Sequence, residues 1–248
     1  MCDATEHFIK RAEKYNSSAR WVDDKVLIRK IMDLAGAGRG DCVLDIGTGT
    51  GKIAQAFRSR VKHVVGVDIC GKMVMQAKGC ADQIVLTPAE SMPFKDNVFS
   101  VCVCRQGLQF MNMEAVLEEI HRVLKPGGRA ILCHLAAYGE KDKDESFLIQ
   151  RLRNPARKNF FLPDDIPCLL RNNAFRDIES FEYISRESVN QWIDNAAISK
   201  NAKEQIKQAY RNASEDFKRI HRVKFEKDDI FDSMKMVIVS ARKRVVNE

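Results

Sequence analysis

Between residues 42 and 135 short apolar runs alternate with segments whose apolar residues recur every three or four positions. "CVLDIG" (42–47), "HVVGVD" (63–68), "QIVLTP" (83–88), "VFSVCVC" (98–104) and "GRAILCHL" (128–135) read as buried strands. "GKIAQAFRSR", "CGKMVMQAKGC" and "MEAVLEEIHRVL", which lie between them, have helical spacing. "KPGG" (125–128) stops the last of these and turns into the next strand. "VDDKVLIRKIMDLAG" (22–36) predicts an amphipathic helix ahead of the first strand. Strand, helix, strand at this spacing predicts an α/β fold, a parallel sheet covered by helices on both faces.

Beyond Tyr138 the alternation fails. "YGEKDKDES" reads as a polar loop, "LPDDIPCLLRNNAF" as a capped helix, and "FRDIESFEYI" and "SMKMVIVSARK" as two late strands. In between, Ile198, Ala202, Ile206, Ala209, Ala213, Phe217 and Ile220 form an apolar stripe at helical spacing, with Lys203, Lys207 and Arg211 on the other side. The chain is thus expected to be one domain (1–248). Its parts are N-terminal covering helices (1–36), a core (37–135), a variable loop, helix and late strand (136–185), a helical insertion (186–230), and a final strand with a tail (231–248). No internal repeat or low-complexity tract interrupts it.

Composition narrows this only slightly. The 248 residues suffice for one large domain with a substantial core. The net charge of +7 permits an anionic partner without requiring one. The eight cysteines, Cys2 among them, form no C-x-x-C pair, and several sit in apolar runs such as "VCVC". They are expected to be reduced, in a cytoplasmic protein, and no metal site is expected from their spacing. "MCDATEHFIKRAEKY" lacks the apolar core of a signal peptide, and no apolar run approaches the roughly 18 residues that span a bilayer.

The chemistry centres on "VLDIGTGTGK", Val43 to Lys52. A P-loop would need its first glycine one position earlier, and Ile53 stands where the hydroxyl residue belongs. A dinucleotide fingerprint is also imperfect, because Lys52 replaces the third glycine. Asp45 before the loop disfavours a pyrophosphate and suits a cationic amino-acid ligand. Asp68 ends the second strand, placed to accept hydrogen bonds from ribose hydroxyls. "PAESMPF" (88–94) follows the third strand, where an adenine fits beside Ala89 and Glu90. An adenosine joined to an amino acid without phosphates is S-adenosylmethionine.

"VLDIGTGTGK", "VVGVDIC", "AESMPFKDNVFS" and "HRVLKPGG" resemble, in order and spacing, the motifs of class I S-adenosylmethionine-dependent methyltransferases. Within that superfamily they are most similar to the small-molecule branch that includes the ubiquinone/menaquinone-type (methyltransferase type 11) enzymes. "HFIKRAEKYNSS" is similar to that branch's covering helix. The resemblance implies a Rossmann-like, seven-stranded, mostly parallel sheet with its last strand antiparallel. It further implies that Asp45, Gly47, Thr48 and Gly49 surround the methionine part and that Asp68 holds the ribose. Ile69 and Met73 would lie against the adenine, Ala89 and Glu90 would border its edge, and Arg105 would touch cofactor and substrate together. Pro88 stands where the family often has an acid, so the adenine amine would be met by backbone. Tyr15 is expected to close over the cofactor.

Other positions suggest the acceptor side. His134 ends the fifth strand, where a general base could act or a histidine could simply be satisfied by hydrogen bonds. Gln106 and Gln109 in "RQGLQF" could orient a substrate, and Trp21 could serve as a lid. Methyl transfer from a sulfonium is an in-line displacement needing alignment and exclusion of water, with no metal. The expected function is O-, C- or N-methylation of a small-molecule acceptor, with S-adenosylhomocysteine as product and the insertion as substrate lid. An RNA-modifying methyltransferase is the alternative. The basic run Arg151, Arg153, Arg157 and Lys158 favours it, whereas "RQGL" in place of [ND]-P-P-[YF] opposes it. A nucleic-acid partner is therefore not expected. A peripheral membrane contact through the basic-sided stripe stays open, as does the choice between monomer and homodimer.

Overall fold

Asp24 accepts hydrogen bonds from the amides of Val26 and Leu27 and so starts helix α2 (Lys25–Ala35), which ends at Gly36 in the left-handed region. The computed structural model describes residues 4–245; Cys2 and the last three residues of the tail lie outside them. Helix α1 (Ala4–Arg11) and a 3-10 segment (Ala12–Ser17) precede α2. The alternating core follows as β1 (Cys42–Ile46), α3 (Lys52–Arg58), β2 (His63–Asp68), α4 (Gly71–Gln76), β3 (Gln83–Leu86) and β4 (Phe99–Arg105). It continues through α5 (Met113–Val123) and β5 (Leu124–Leu135). The C-terminal part comprises α6 (Lys143–Arg153), α7 (Asp165–Asn172), β6 (Phe175–Ser188), α8 (Val189–Ile193), α9 (Lys200–Asn212), α10 (Glu215–Ile220), β7 (Lys224–Phe225) and β8 (Ile230–Lys243).

The sheet runs β3-β2-β1-β4-β5-β8-β6, with β7 paired to β8. All neighbours from β3 to β5 are parallel, and β8 is antiparallel to both β5 and β6. The Rossmann-like mixed sheet with an antiparallel last strand is therefore present. The two-residue β7 adds an eighth strand to the expected seven. Chain order reverses between β1 and β4, and the crevice beyond their carboxyl ends is the natural ligand position in such a sheet.

Successive strand residues bury opposite faces. Val43, Val101, Val103 and Ile131 join α2 and α3 in one core cluster. Leu44, Cys102, Cys104 and Leu132 join α5 in the other. The cysteines behave as small hydrophobes, and burial pushes the thiols of Cys104 and Cys133 up to about 12.

The apolar stripe of the insertion is split between two helices. Ala213 takes an extended conformation after α9, and the Ser214 hydroxyl accepts from the Phe217 amide to cap α10. Glu145 on α6 fixes this corner by accepting from Ser214 N and Oγ at 2.6 and 2.8 Å. Ile206, Tyr210, Ala213 and Phe217 are buried in the first core cluster with Met234 and Met236 of β8. On the basic side Lys203 pairs with Asp194 at 2.8 Å. No helix among the described residues is long and apolar enough to cross a membrane.

Candidate functional site

The glycine loop leaves β1 at the crevice. Gly47 has φ +64°, and a Cβ there would lie 3.3 Å from Met111 Cε and 3.7 Å from Gly107 Cα. The loop is drawn toward β2 by Thr48 N donating to Val67 O and by Gly49 N donating to Asp68 Oδ2, both at 2.9 Å. The other Asp68 oxygen accepts from Cys70 N at 2.8 Å. Burial raises the Asp68 carboxyl, and these amide bonds oppose that rise. Asp68 is thus a fixed acceptor at the cavity wall with lone pairs to spare.

A cavity of about 390 Å³ opens here, within the range of roughly 300–1,000 Å³ usual for small-molecule sites. Gly47, Gly49, Asp68, Ile69, Met73, Ala89, Glu90 and Tyr15 of the expected cofactor residues line it, together with Gln106 from the acceptor side. Glu90 also accepts from Asn112 N at 2.9 Å, which ties the loop after β3 to the start of α5. Sequence reading missed Phe8, Phe110, Met111 and Thr87; Pro88 lines the cavity too, and Lys158 of the basic run reaches it. Phe8 on α1 meets Phe110 edge-on at 5.0 Å between ring centroids, so the N-terminal helix closes over the cavity. Thr50 Oγ1 donating to Asn16 Oδ1 at 2.6 Å holds that cover to the glycine loop.

A smaller chamber of about 30 Å³ adjoins the large cavity, sharing Phe8, Tyr15, Gln106 and Phe110 with it. Its other walls are Trp21, Gln109, Leu135, Gln150, Asn154, Trp192 and three arginines, Arg11, Arg153 and Arg157. Arg153 and Arg157 belong to the basic run read toward RNA, yet Arg153 is only 7% exposed and faces inward. In "QRLRNPARK" (150–158) the signal is present only as charge; which residues turn inward depends on the helix end at Arg153.

Four expected site residues line neither space. Asp45 is 2% exposed, and its Oδ2 accepts from Thr48 Oγ1 at 2.7 Å and from Ala54 N at 3.0 Å. It therefore staples the loop to α3, and Thr48 turns inward with it. Burial holds the Asp45 carboxyl up at about 6, against those bonds and Arg105. Arg105 donates to the main-chain oxygens of Trp21 and Val22 at 3.2 and 3.1 Å, so it anchors the N-terminal segment and does not reach the cavity. His134 is fully buried beside Phe161, with Nδ1 3.1 Å from Gln109 Oε1. Burial, then Arg157, pulls it down to about 3, so the ring is neutral and out of reach as a base. With Nδ1–H donating, Gln109 Nε2 is turned to donate to Gln106 Oε1 at 2.9 Å. Gln106 Nε2 is left as a buried donor without a partner, on a residue with φ +59°. Among the described residues no group of three or more His, Cys, Asp or Glu side chains is placed to hold a metal ion.

The methyltransferase domain model matches residues 44–132. Malonyl-[acyl-carrier protein] O-methyltransferase of Erwinia billingiae is 29% identical, over 64% of this chain and 62% of its own length. Ubiquinone/menaquinone biosynthesis C-methyltransferase of Hydrogenovibrio crunogenus is 35% identical, over 42% of this chain and 46% of its own. The chain thus spans less than two thirds of either relative. The crystal structure of the YcgJ protein of Bacillus subtilis shares the fold, with a TM-score of 0.81 at 23% identity, covering 88% of this chain and 98% of that one.

Proposed function

This chain is a class I S-adenosylmethionine-dependent methyltransferase, and we propose that it methylates a small-molecule acceptor seated where the two cavities meet. The observation that carries this reading is the junction at Gln106, a residue shared by the cofactor-sized cavity and the inner chamber. The large cavity fits the cofactor. Asp68 offers a fixed acceptor for ribose hydroxyls, and Ile69, Met73 and Ala89 give apolar walls for an adenine. Gly47 keeps the floor clear of a side chain. Bound there, S-adenosylmethionine would supply a methyl group on a sulfonium, reactive without further activation.

The protein's part is to orient and to keep water out. Phe8, Tyr15 and Phe110 border both spaces and form the dry neck between them. Gln106, held by the Gln109–His134 chain, presents its amide N–H at that neck. Among the described residues no carboxylate, histidine or cysteine walls the inner chamber, so an acceptor there reacts through a nucleophile that needs no base from its walls. The insertion approaches only through Trp192, so its role as a substrate lid is proposed for the inner end alone. The free thiols suit a reducing compartment, and we place the protein in the cytoplasm.

The test is transfer of label from S-[methyl-³H]adenosylmethionine, without added metal, to panels of phenols, quinols, amines and carboxylates, with RNA alongside. Labelled small molecule supports the reading. Label entering RNA alone would replace it with the nucleic-acid alternative.

A further inference from the structure

The inner chamber concentrates positive charge without a matching negative one. Arg153 Nε donates to Trp192 O at 3.0 Å, and its guanidinium lies 4.4 Å from the Trp192 ring centroid. Arg11 lies over Phe8 and Tyr15 and reaches Ser18 Oγ at 3.4 Å. Arg157 Nε donates to Asn159 O at 2.9 Å. Main-chain oxygens, a hydroxyl and aromatic faces thus orient all three. The carboxylate that attracts Arg153 is Glu187, whose oxygens already accept from Arg20 N, Trp21 N and the Ser185 hydroxyl. Burial works against all three cations and holds Arg157 down at about 9, with Arg11 and Arg153 adding mutual repulsion.

Four donors on the chamber walls are buried without a partner: Arg11 Nε, Arg153 Nη2, Gln106 Nε2 and Asn154 Nδ2. Asn154 Oδ1 accepts from Ala156 N, which fixes that amide, and Gln106 Nε2 faces the chamber in the tautomer with His134 Nδ1–H donating. Leaving such donors unmet costs about 1–3 kcal/mol each, and more for a charged group. Among the described residues on the chamber walls, Gln150 Oε1 is the one buried acceptor without a partner. A wall of donors around confined cations is complementary to an anion.

We propose that the inner chamber binds a carboxylate of the methyl acceptor, so that the substrate class is small organic acids. This rests on the methyltransferase reading. Three features select a carboxylate. A space of about 30 Å³ admits a group of a few atoms and not a tetrahedral phosphate with its ester. Guanidinium N–H groups match the planar two-oxygen edge of a carboxylate. The walls stand at the ends of β4 and β5, at Gln106 and Leu135, and none of residues 47–51 reaches them. A cofactor carboxylate held by the glycine loop would therefore leave this chamber to the acceptor.

The experiment uses the full chain saturated with S-adenosylhomocysteine. Acetate, benzoate and malonate are titrated in, with acetamide, benzamide and inorganic phosphate as comparisons, read by thermal shift and calorimetry. At least one carboxylate should bind and raise Tm, with its amide at least tenfold weaker and phosphate weaker still. Arg153→Met should weaken that carboxylate at least tenfold and keep S-adenosylhomocysteine affinity within twofold. It should also raise the Tm of the ligand-free protein, since an uncompensated buried charge is removed. Arg157→Met, tested in parallel, should show the same loss of carboxylate binding, which covers the case of a poorly folded Arg153 variant. Amides binding as well as their acids, phosphate binding best, or no carboxylate binding at all would overturn the proposal. So would equal losses of cofactor and carboxylate affinity in Arg153→Met, which would give the cluster to the cofactor. Failure of the wild type to bind S-adenosylhomocysteine would instead strike the methyltransferase reading.

Discussion

The two ends of the site are built on opposite principles. At the outer end the walls are largely turns and strand ends from consecutive segments, Gly47 and Gly49, Asp68 and Ile69, Ala89 and Glu90, and it carries two carboxylates, Asp68 and Glu90, with one ammonium, Lys158. The inner end is walled by side chains from α1, the segment after β4, the end of β5, α6 and α8, and its charges are guanidinium groups. Backbone geometry shapes the first, so little besides glycine and an acid at a strand end is needed. Side chains shape the second, so a handful of substitutions there would change what it admits while leaving the outer end intact. On the proposed reading the first is the cofactor end and the second the acceptor end.

The sharpest way to break the comparison is to damage the inner end from behind. His221 donates from Nδ1 to Asp232 and from Nε2 to Asp142, both at 2.9 Å, in a buried triad beside Trp192 and Tyr210. His221→Leu strands two buried carboxylates and should cost about 3–5 kcal/mol in urea unfolding. Folded His221→Leu protein should still bind S-adenosylhomocysteine normally. The same triad sets a pH dependence. Burial opposes the imidazolium, but Asp142 and Asp232 outweigh it and raise His221 to about 9. Because the folded value lies above the unfolded 6.5, this stabilisation is complete below pH 6.5 and is lost as pH rises through about 9. Unfolding free energy should fall by about 3 kcal/mol over that window, with His221→Leu flat across it.

At the outer end, Gly51→Ala comes next. A Cβ there would sit 2.5 Å from Cys80 Cβ, at φ +80°. Overpacking and left-handed strain together should cost about 3 kcal/mol, read by denaturant midpoint. Asp68→Ala should weaken S-adenosylhomocysteine by about 1.5–3 kcal/mol through loss of charge-assisted bonds, leaving the inner chamber's carboxylate affinity unchanged. Asn16→Ala removes the Thr50 contact and should loosen the cover by about 1 kcal/mol, seen as faster amide exchange in residues 4–17.

The same contrast explains what could be read beforehand. Asp68 and the glycines were legible because strand ends and positive-φ turns are local. The errors are ones of side-chain parity. Arg105 continues the face of Val101 and Val103, where Trp21 and Val22 pack, and so turns away from the cavity. His134 points into the opposite core beside Phe161, whereas its neighbour Leu135 lines the chamber. One residue along a strand reverses the face, and sequence spacing gave no means of choosing. Asp45 reads as a ligand contact in the sequence because its competing partners, Thr48 and Ala54, become neighbours only when the loop folds back on α3. The arginine cluster joins Arg11 to Arg153 and Arg157, more than a hundred positions apart, which no local pattern could reveal.

A crystal structure of the full chain with S-adenosylhomocysteine tests the central claim most directly. The account predicts adenine between Ile69 and Ala89, both ribose hydroxyls within hydrogen-bonding distance of Asp68, and the sulfur turned toward Gln106 and the arginine chamber. Adenosine bound away from Asp68, or a homocysteine carboxylate seated on Arg153, would contradict it.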